Sequence, residues 1–201
     1  MWLPIGASSP LLHTSSPVPK LLHEWTVLAY EWPSETTRFN YTKEGLYIEE
    51  NNALAGVKSW KGELFVTVPR WRPGVPVTLA KVVTSGASSL LQAFPSWEMQ
   101  GPVGPASAGL QFVQSMEIDS RGWMWILDVG RLNLLSDPSI QTVGVPKLII
   151  WDIEKNCSVR TFVFPNHVMP YDSSWANDIV VDETGGFAYI SDTWANGGIV
   201  V

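Results

Sequence analysis

The stretch WANDIVVDETGGFAYISDTWANGG, residues 175–198, decides the fold, because an earlier stretch resembles it. Laid under QSMEIDSRGWMWILDVGR, residues 114–131, it places Asp182 under Asp119, Gly186 near Gly122, Tyr189 under Trp125 and Asp192 under Asp128, at an offset of 63 to 64 residues. A third copy, without the aspartates, is AGVKSWKGELFVTVPRW, residues 55–71; there Gly62 opens the turn and Phe65 stands for Trp125 at an offset of 60. The copies continue alike. VPKLIIWDI (145–153) is matched loosely by VPVTLAKV (75–82), and RTFVFP (160–165) by LLQAFP (90–95).

Four short strands per unit of about 60 residues is the pattern of a β-propeller blade, longer than the ~40 to 50 residues of the commonest propeller repeats. The additional length falls in loops such as 98–109 and 131–144. Blades pack face to face, so a strand buried on both sides reads as a continuous apolar run, as WMWILD and LIIWDI do. Aspartate and glycine between the first and second strands supply turn chemistry, the carboxylate accepting local N–H bonds and glycine taking positive φ. The expected class is therefore all-β, with blades at about 55–95, 115–165 and 177–201, the last incomplete, and a leader over 1–21 without regular structure. A ring needs ~4 to 8 blades to close. Two and a half to three blades over 22–201 are expected to be the amino-terminal part of a longer propeller, a truncated chain.

Composition narrows the partners. A net charge of −6, a pI near 5.0 and scattered Lys and Arg offer no basic face for nucleic acid. No apolar run approaches the ~18 residues of a spanning helix. The opening MWLPIGASSPLLHTSSPVPK has no positive charge before Lys20 and is broken by Pro4, Gly6 and Pro10, which makes a poor signal peptide. Single Cys157 cannot form an internal disulfide. Two sequons, Asn40-Tyr41-Thr42 and Asn156-Cys157-Ser158, are glycosylation candidates if the chain is secreted.

The segments GLYIEENNALAGVKSWKGELFVTVPRWRPGVPVTL (45–79), LQAFPSW (91–97), IDSRGWMWILDVGR (118–131), PKLIIWDI (146–153) and NDIVVDETGGFAYISDT (177–193) occur in order. Together they resemble the yellow and major royal jelly protein family, with FVTVPRW followed by GVPVTL as the most specific part. The resemblance implies a six-bladed propeller, usually secreted to the extracellular space, whose axial channel can hold a small aromatic or biogenic amine ligand. It also implies two alternatives. One is an enzyme, a dopachrome-converting isomerase or a calcium-dependent lactonase-like hydrolase; the other is a storage or structural glycoprotein. Relatives usually carry cysteines near the positions of Arg121 and Gly144, and this chain has neither.

Candidate site residues follow from position. Asn177 and Asp178 precede the first strand of the third blade, which in a propeller lies nearest the channel. Calcium wants 6 to 8 hard oxygens; the matching positions in the other copies, Gln114 and Ser115, then Ala55 and Gly56, supply no carboxylate, so no metal cage is assigned and calcium stays only an open option. Arg70 and Trp71 end a strand, where they would either stack on an aromatic ligand or form a packing corner with a salt bridge. Thr193 breaks the pattern set by Val129. His13, His23 and His167 form no constellation, and G-x-S-x-G, zinc spacings and phosphate loops are absent, so no catalytic set is legible.

Overall fold

The computed structural model describes residues 18–86, 88–101, 109–194 and 197–201. Most of the leader 1–21, His13 with it, and most of the loop 98–109 lie outside the described residues. The fold is nearly all β. The first sheet runs β1 (Val57–Trp60), β2 (Glu63–Thr67), β3 (Leu79–Ser85), β4 (Ser88–Ala93), each strand antiparallel to the next. The second uses β5 (Val113–Ile118), β6 (Trp123–Asp128), β9 (Lys147–Asp152) and β10 (Cys157–Val163) in the same sequential order. Between β6 and β9 a small ribbon, β7 (Arg131–Leu132) with β8 (Gln141–Thr142), occupies the long loop. The third sheet is β11 (Ala176–Asp182), β12 (Phe187–Asp192) and β13 (Gly198–Val200).

First strands sit side by side, β1 against β5 and β5 against β11. That is the arrangement of consecutive propeller blades about a common axis. Cross-blade bonds fix it: Lys58 pairs with Glu117 at 2.8 Å, and Ser120 binds Glu183 through both its N–H and its hydroxyl.

Packing explains the apolar runs. In β2, Phe65 faces a core shared with Met116, Met124, Ile126 and Ile149 of the second sheet, whereas its neighbour Val66 faces the opposite side. In β6, Met124 and Ile126 face back to the first sheet, and Leu127 faces forward to Ile179 and Ile190 of the third. Successive side chains of a strand point to opposite faces, so burying both faces makes every position apolar. The hairpin registers place Phe65, Trp125 and Tyr189 at equivalent positions, two residues past the first paired residue of the second strand. Phe65 and Trp125 each pack towards the following sheet, and Tyr189 points onward in the same sense with 40% exposure.

Two features differ from the sequence expectation. Strand β10 is exposed along its whole length, because an outermost strand has no neighbour beyond it. An α-helix, α1 (Glu35–Lys43), precedes the first sheet; Ser34 caps it by accepting a bond from the Thr37 N–H at 3.0 Å, and none of its residues is buried. Around it the segment 25–47 covers the free face of the first sheet with Trp25, Tyr30, Trp32, Tyr41 and Tyr47, while the 29–31 backbone bonds to Leu91 of β4 in parallel. A helix with a polar mean and weak periodicity leaves little signal in sequence.

Gly122 shows how tightly the blades meet. It turns the β5–β6 hairpin at φ +80°, and a Cβ there would stand 2.5 Å from Cζ2 of Trp60 in the first sheet. Replacing it by alanine combines a left-handed alanine with a collision, so Gly122→Ala should lower stability by about 2 kcal/mol and the melting temperature by roughly 4–8 °C. Calorimetry of the two proteins checks this; an unchanged melting temperature would refute the inter-blade contact.

Candidate functional site

All three first hairpins turn at one end of the sheets, so the opposite end carries the starts of the first strands and the longer connections. This loop face is where the sequence places its polar candidates. Loops held by a rigid scaffold are the usual location of binding groups.

The first strands enter this face through a repeated irregularity. In the second sheet the register shifts between Val113 and Ser115, leaving Gln114 unpaired; in the third it shifts between Ala176 and Asp178, leaving Asn177 unpaired. In the first sheet Thr67 accepts from the Ala55 N–H and donates to the Gly56 carbonyl, so two residues again oppose one. Ala55, Gln114 and Asn177 are thus equivalent bulge residues. A bulge re-aims its side chain out of the ladder.

Gln114 is the hub of the face. Its Oε1 accepts from the indole Nε1 of Trp71 at 3.0 Å and of Trp175 at 3.3 Å, and its carbonyl accepts from Thr67 Oγ1 at 3.0 Å. Its amide nitrogen has no protein partner among the described residues, which leaves two donors for a ligand. Beside it Ser115 donates to Asp178 Oδ1 at 2.7 Å, and the Asp178 N–H reaches Ser191 Oγ at 3.2 Å. Asp178 and Thr193 are exposed, Asn177 is half-buried, and the Thr193 N–H donates to the Trp175 carbonyl at 3.1 Å. Trp194 tilts against Trp175 at 5.4 Å between ring centroids, and Phe112 meets Trp175 edge-on at 6.4 Å. Trp71, Asn177, Asp178 and Thr193 therefore share one polar and aromatic rim. Gln114, Ser115 and Trp175 join it although sequence reasoning passed them over. The repeat alignment had already placed Gln114 and Ser115 under Asn177 and Asp178, but only as positions lacking a carboxylate.

Arg70 does something else. Its guanidinium is buried and spends all five N–H groups on carbonyls: Nε on Val75, Nη1 on Leu110 and Gln111, Nη2 on Pro76 and Gln100. It makes no ion pair among the described residues. Burial pushes its pKa down to about 10, against the opposing pull of Asp128, and it stays protonated at neutral pH. One side chain thus ties the 70–76 turn to the loop leading into β5. A cavity of about 260 Å³ opens over it, lined by Tyr41, Leu46, Arg72, Gly74, Leu132 and Asn133 among others, and its walls do not include Gln114, Asn177 or Asp178.

The other aspartates hold backbone. Asp128 accepts from the N–H groups of Gln111, Phe112 and Gly130 at 2.8–3.0 Å and from Lys147 Nζ at 3.0 Å; Asp192 accepts from those of Trp175 and Trp194 at 2.8 and 3.2 Å. At the opposite end Asp182 binds the N–H groups of Thr184 and Gly185. Asp119 receives the N–H groups of Arg121 and Trp123, the Arg121 guanidinium and the Trp125 indole. Among the described residues no group of three or more His, Cys, Asp or Glu is gathered to hold a metal ion. The sequon Asn40 lies on α1, exposed; Asn156 lies exposed in the β9–β10 turn at φ +49°, its Oδ1 accepting from Trp151 Nε1 at 3.2 Å.

Two four-stranded sheets and one three-stranded sheet, set side by side with bulged first strands and a common loop face, make this part of a β-propeller. A family model described as Major royal jelly protein matches residues 111–201. The chain is 28% identical over 188 residues to dopaminechrome tautomerase of Drosophila melanogaster, across 90% of this chain and 40% of that protein. It is 27% identical over 180 residues to protein yellow of Drosophila guanche, across 85% and 30%, and 27% identical over 180 residues to major royal jelly protein 5 of Apis mellifera, across 86% and 29%. The chain is thus similar to the yellow and major royal jelly proteins, with the family model matching its residues 111–201. It spans less than half the length of these relatives.

Two outcomes follow from these bonds. Arg70→Met strands five buried carbonyls and should cost at least about 3 kcal/mol, read as a lowered urea midpoint. For Asp119, burial works to raise the carboxyl pKa, but the bonds from Arg121, Trp125 and Trp123 outweigh it and hold the value below the ordinary range. A depressed folded pKa means that this stabilisation is complete above the unfolded value of ~3.9 and is lost as pH falls through the folded one. The stability gap between wild type and Asp119→Ala should therefore be widest above pH ~4 and shrink below it, as denaturation at several pH values will show.

Proposed function

We propose that this chain is part of a secreted propeller of the yellow and royal jelly type that binds a small aromatic ligand, such as a biogenic amine, at the loop-face mouth of its axial channel. The observation that carries this reading is the Gln114 amide, held between the indoles of Trp71 and Trp175 with its own N–H₂ uncommitted. The two indoles supply flat apolar surface, the Gln114 amide supplies donors, and exposed Asp178 supplies a negative charge for an ammonium group. Asn177 and Thr193 extend the polar rim. Arg70 contributes by holding the loop that leads to Gln114. Asn40 and Asn156, both exposed, are the positions where a secreted chain would carry glycans.

A second reading, catalysis of a tautomerisation, is favoured by the likeness to dopaminechrome tautomerase together with Asp178, an exposed carboxylate beside the ring-stacking surface. Such a reaction needs a base within hydrogen-bond reach of the proton that moves. Turnover of dopaminechrome by the wild type that is lost in Asp178→Asn even at saturating substrate would establish it.

For the binding reading, dopamine or serotonin at roughly 100 times its Kd should add ~2.7 kcal/mol and raise the melting temperature by several degrees. Gln114→Leu, which removes the acceptor of both indoles, should abolish the shift. A shift of the same size in the variant would rule out Gln114 as the anchor.

A further inference from the structure

Two buried arginines lie on the loop face, and they are treated differently. Arg70 has every donor satisfied by a carbonyl. Arg131, 4% exposed, donates once, from Nη1 to the Ser174 carbonyl at 3.1 Å. Among the described residues its Nε has no hydrogen-bond partner, and neither does the Oγ of Ser174, which is itself fully buried. Burial pulls the Arg131 pKa down, against the opposing pull of Asp172 and Asp192, and among the described residues neither carboxylate forms an ion pair with it. Asp192 is already engaged by the N–H groups of Trp175 and Trp194. The buried guanidinium thus leaves most of its N–H edge unmatched among the described residues, and a buried unmatched donor is costly, more so when charged.

The surroundings indicate what matches it. The guanidinium carbon lies 5.4 Å from the ring centroid of Trp194, which lies 5.4 Å from that of Trp175, whose indole nitrogen bonds Gln114. The rings of Trp175 and Trp194 therefore link Gln114 to Arg131 by consecutive contacts. Adjacent Nε–H and Nη–H donors present two parallel bonds at the spacing of carboxylate oxygens, and the Ser174 hydroxyl adds a third donor. An ammonium group brought to the same place would meet a like charge.

We propose that Arg131 and Ser174 form a carboxylate-recognition site, so that the preferred ligand is a small aromatic acid or aromatic amino acid whose ring rests on Trp194 and Trp175. This rests on the reading of the loop face as an aromatic-ligand site and sharpens it: the acid group is chosen by Arg131, and any ammonium group by Asp178. Asp192 takes no part in binding; its carboxylate holds the two tryptophan N–H groups in place.

Matched pairs of probes test it on the full chain by titration calorimetry: indole-2-carboxylate against indole, and dopa against dopamine. Wild type should bind each acid at least ~10-fold more tightly than its partner, a difference of about 1.4 kcal/mol. Arg131→Gln should bring each pair within about twofold while leaving indole affinity unchanged. If Arg131→Gln fails to fold, Ser174→Ala serves instead and should weaken the acids alone. Tighter or equal binding of indole and dopamine in wild type would overturn the carboxylate site and leave the aromatic site standing. Binding of none of the four would overturn both.

Discussion

A carboxylate at the end of a second strand governs how the chain re-enters the next part of the fold. Asp128 gathers three backbone N–H groups and a lysine in one buried place, and Asp192 repeats the device with two N–H groups from either side of its own strand. In each case one of the N–H groups belongs to the residue just before the first strand, so the aspartate sets the point at which that strand begins. The bulge at Gln114 or Asn177 comes two residues later, and the aromatic and polar rim is built on it. Lys147 neutralises Asp128 from β9 and binds the Gly109 carbonyl, which links the third strand to the same entry. The first sheet has Val68 at this position, and Arg70, two residues on, instead ties the 70–76 turn to the loop leading into β5 by collecting carbonyls.

The fold was largely legible because blade packing leaves a mark on every strand. Equivalent positions of Phe65, Trp125 and Tyr189 came from an offset alone, since each hairpin has its own turn length but the same register beyond it. Apolar runs such as WMWILD were readable as strands buried on both faces. What escaped was α1 and the aromatic segment packed on the first sheet, whose residues carry no period of 2.0 or 3.6, and the exposure of β10, which depends on a strand's place in its sheet rather than on its own composition.

Of the candidate site, the sequence named positions on the loop face but not their bonds. Asn177, Asp178, Trp71 and Thr193 lie together on the rim. Arg70 could not be told from a ligand-facing arginine by sequence, because its five acceptors come from backbone at residues 75, 76, 100, 110 and 111, which no side-chain pattern reveals. Gln114 and Ser115 stood in the repeat alignment, but a search for carboxylates discounts an amide. Arg131 gave no signal at all, since a buried guanidinium short of partners is a property of coordinates.

The bulge has one more meaning. A residue that stands outside the hydrogen-bonded ladder contributes little to the pairing of its sheet, so Ala55, Gln114 and Asn177 differ in size and polarity while the strands beneath them stay in register. Each blade thereby offers the mouth one interchangeable side chain. The side chain displayed there can change through substitutions that strand pairing scarcely notices, so one scaffold can present unlike chemistry on its loop face without being rebuilt.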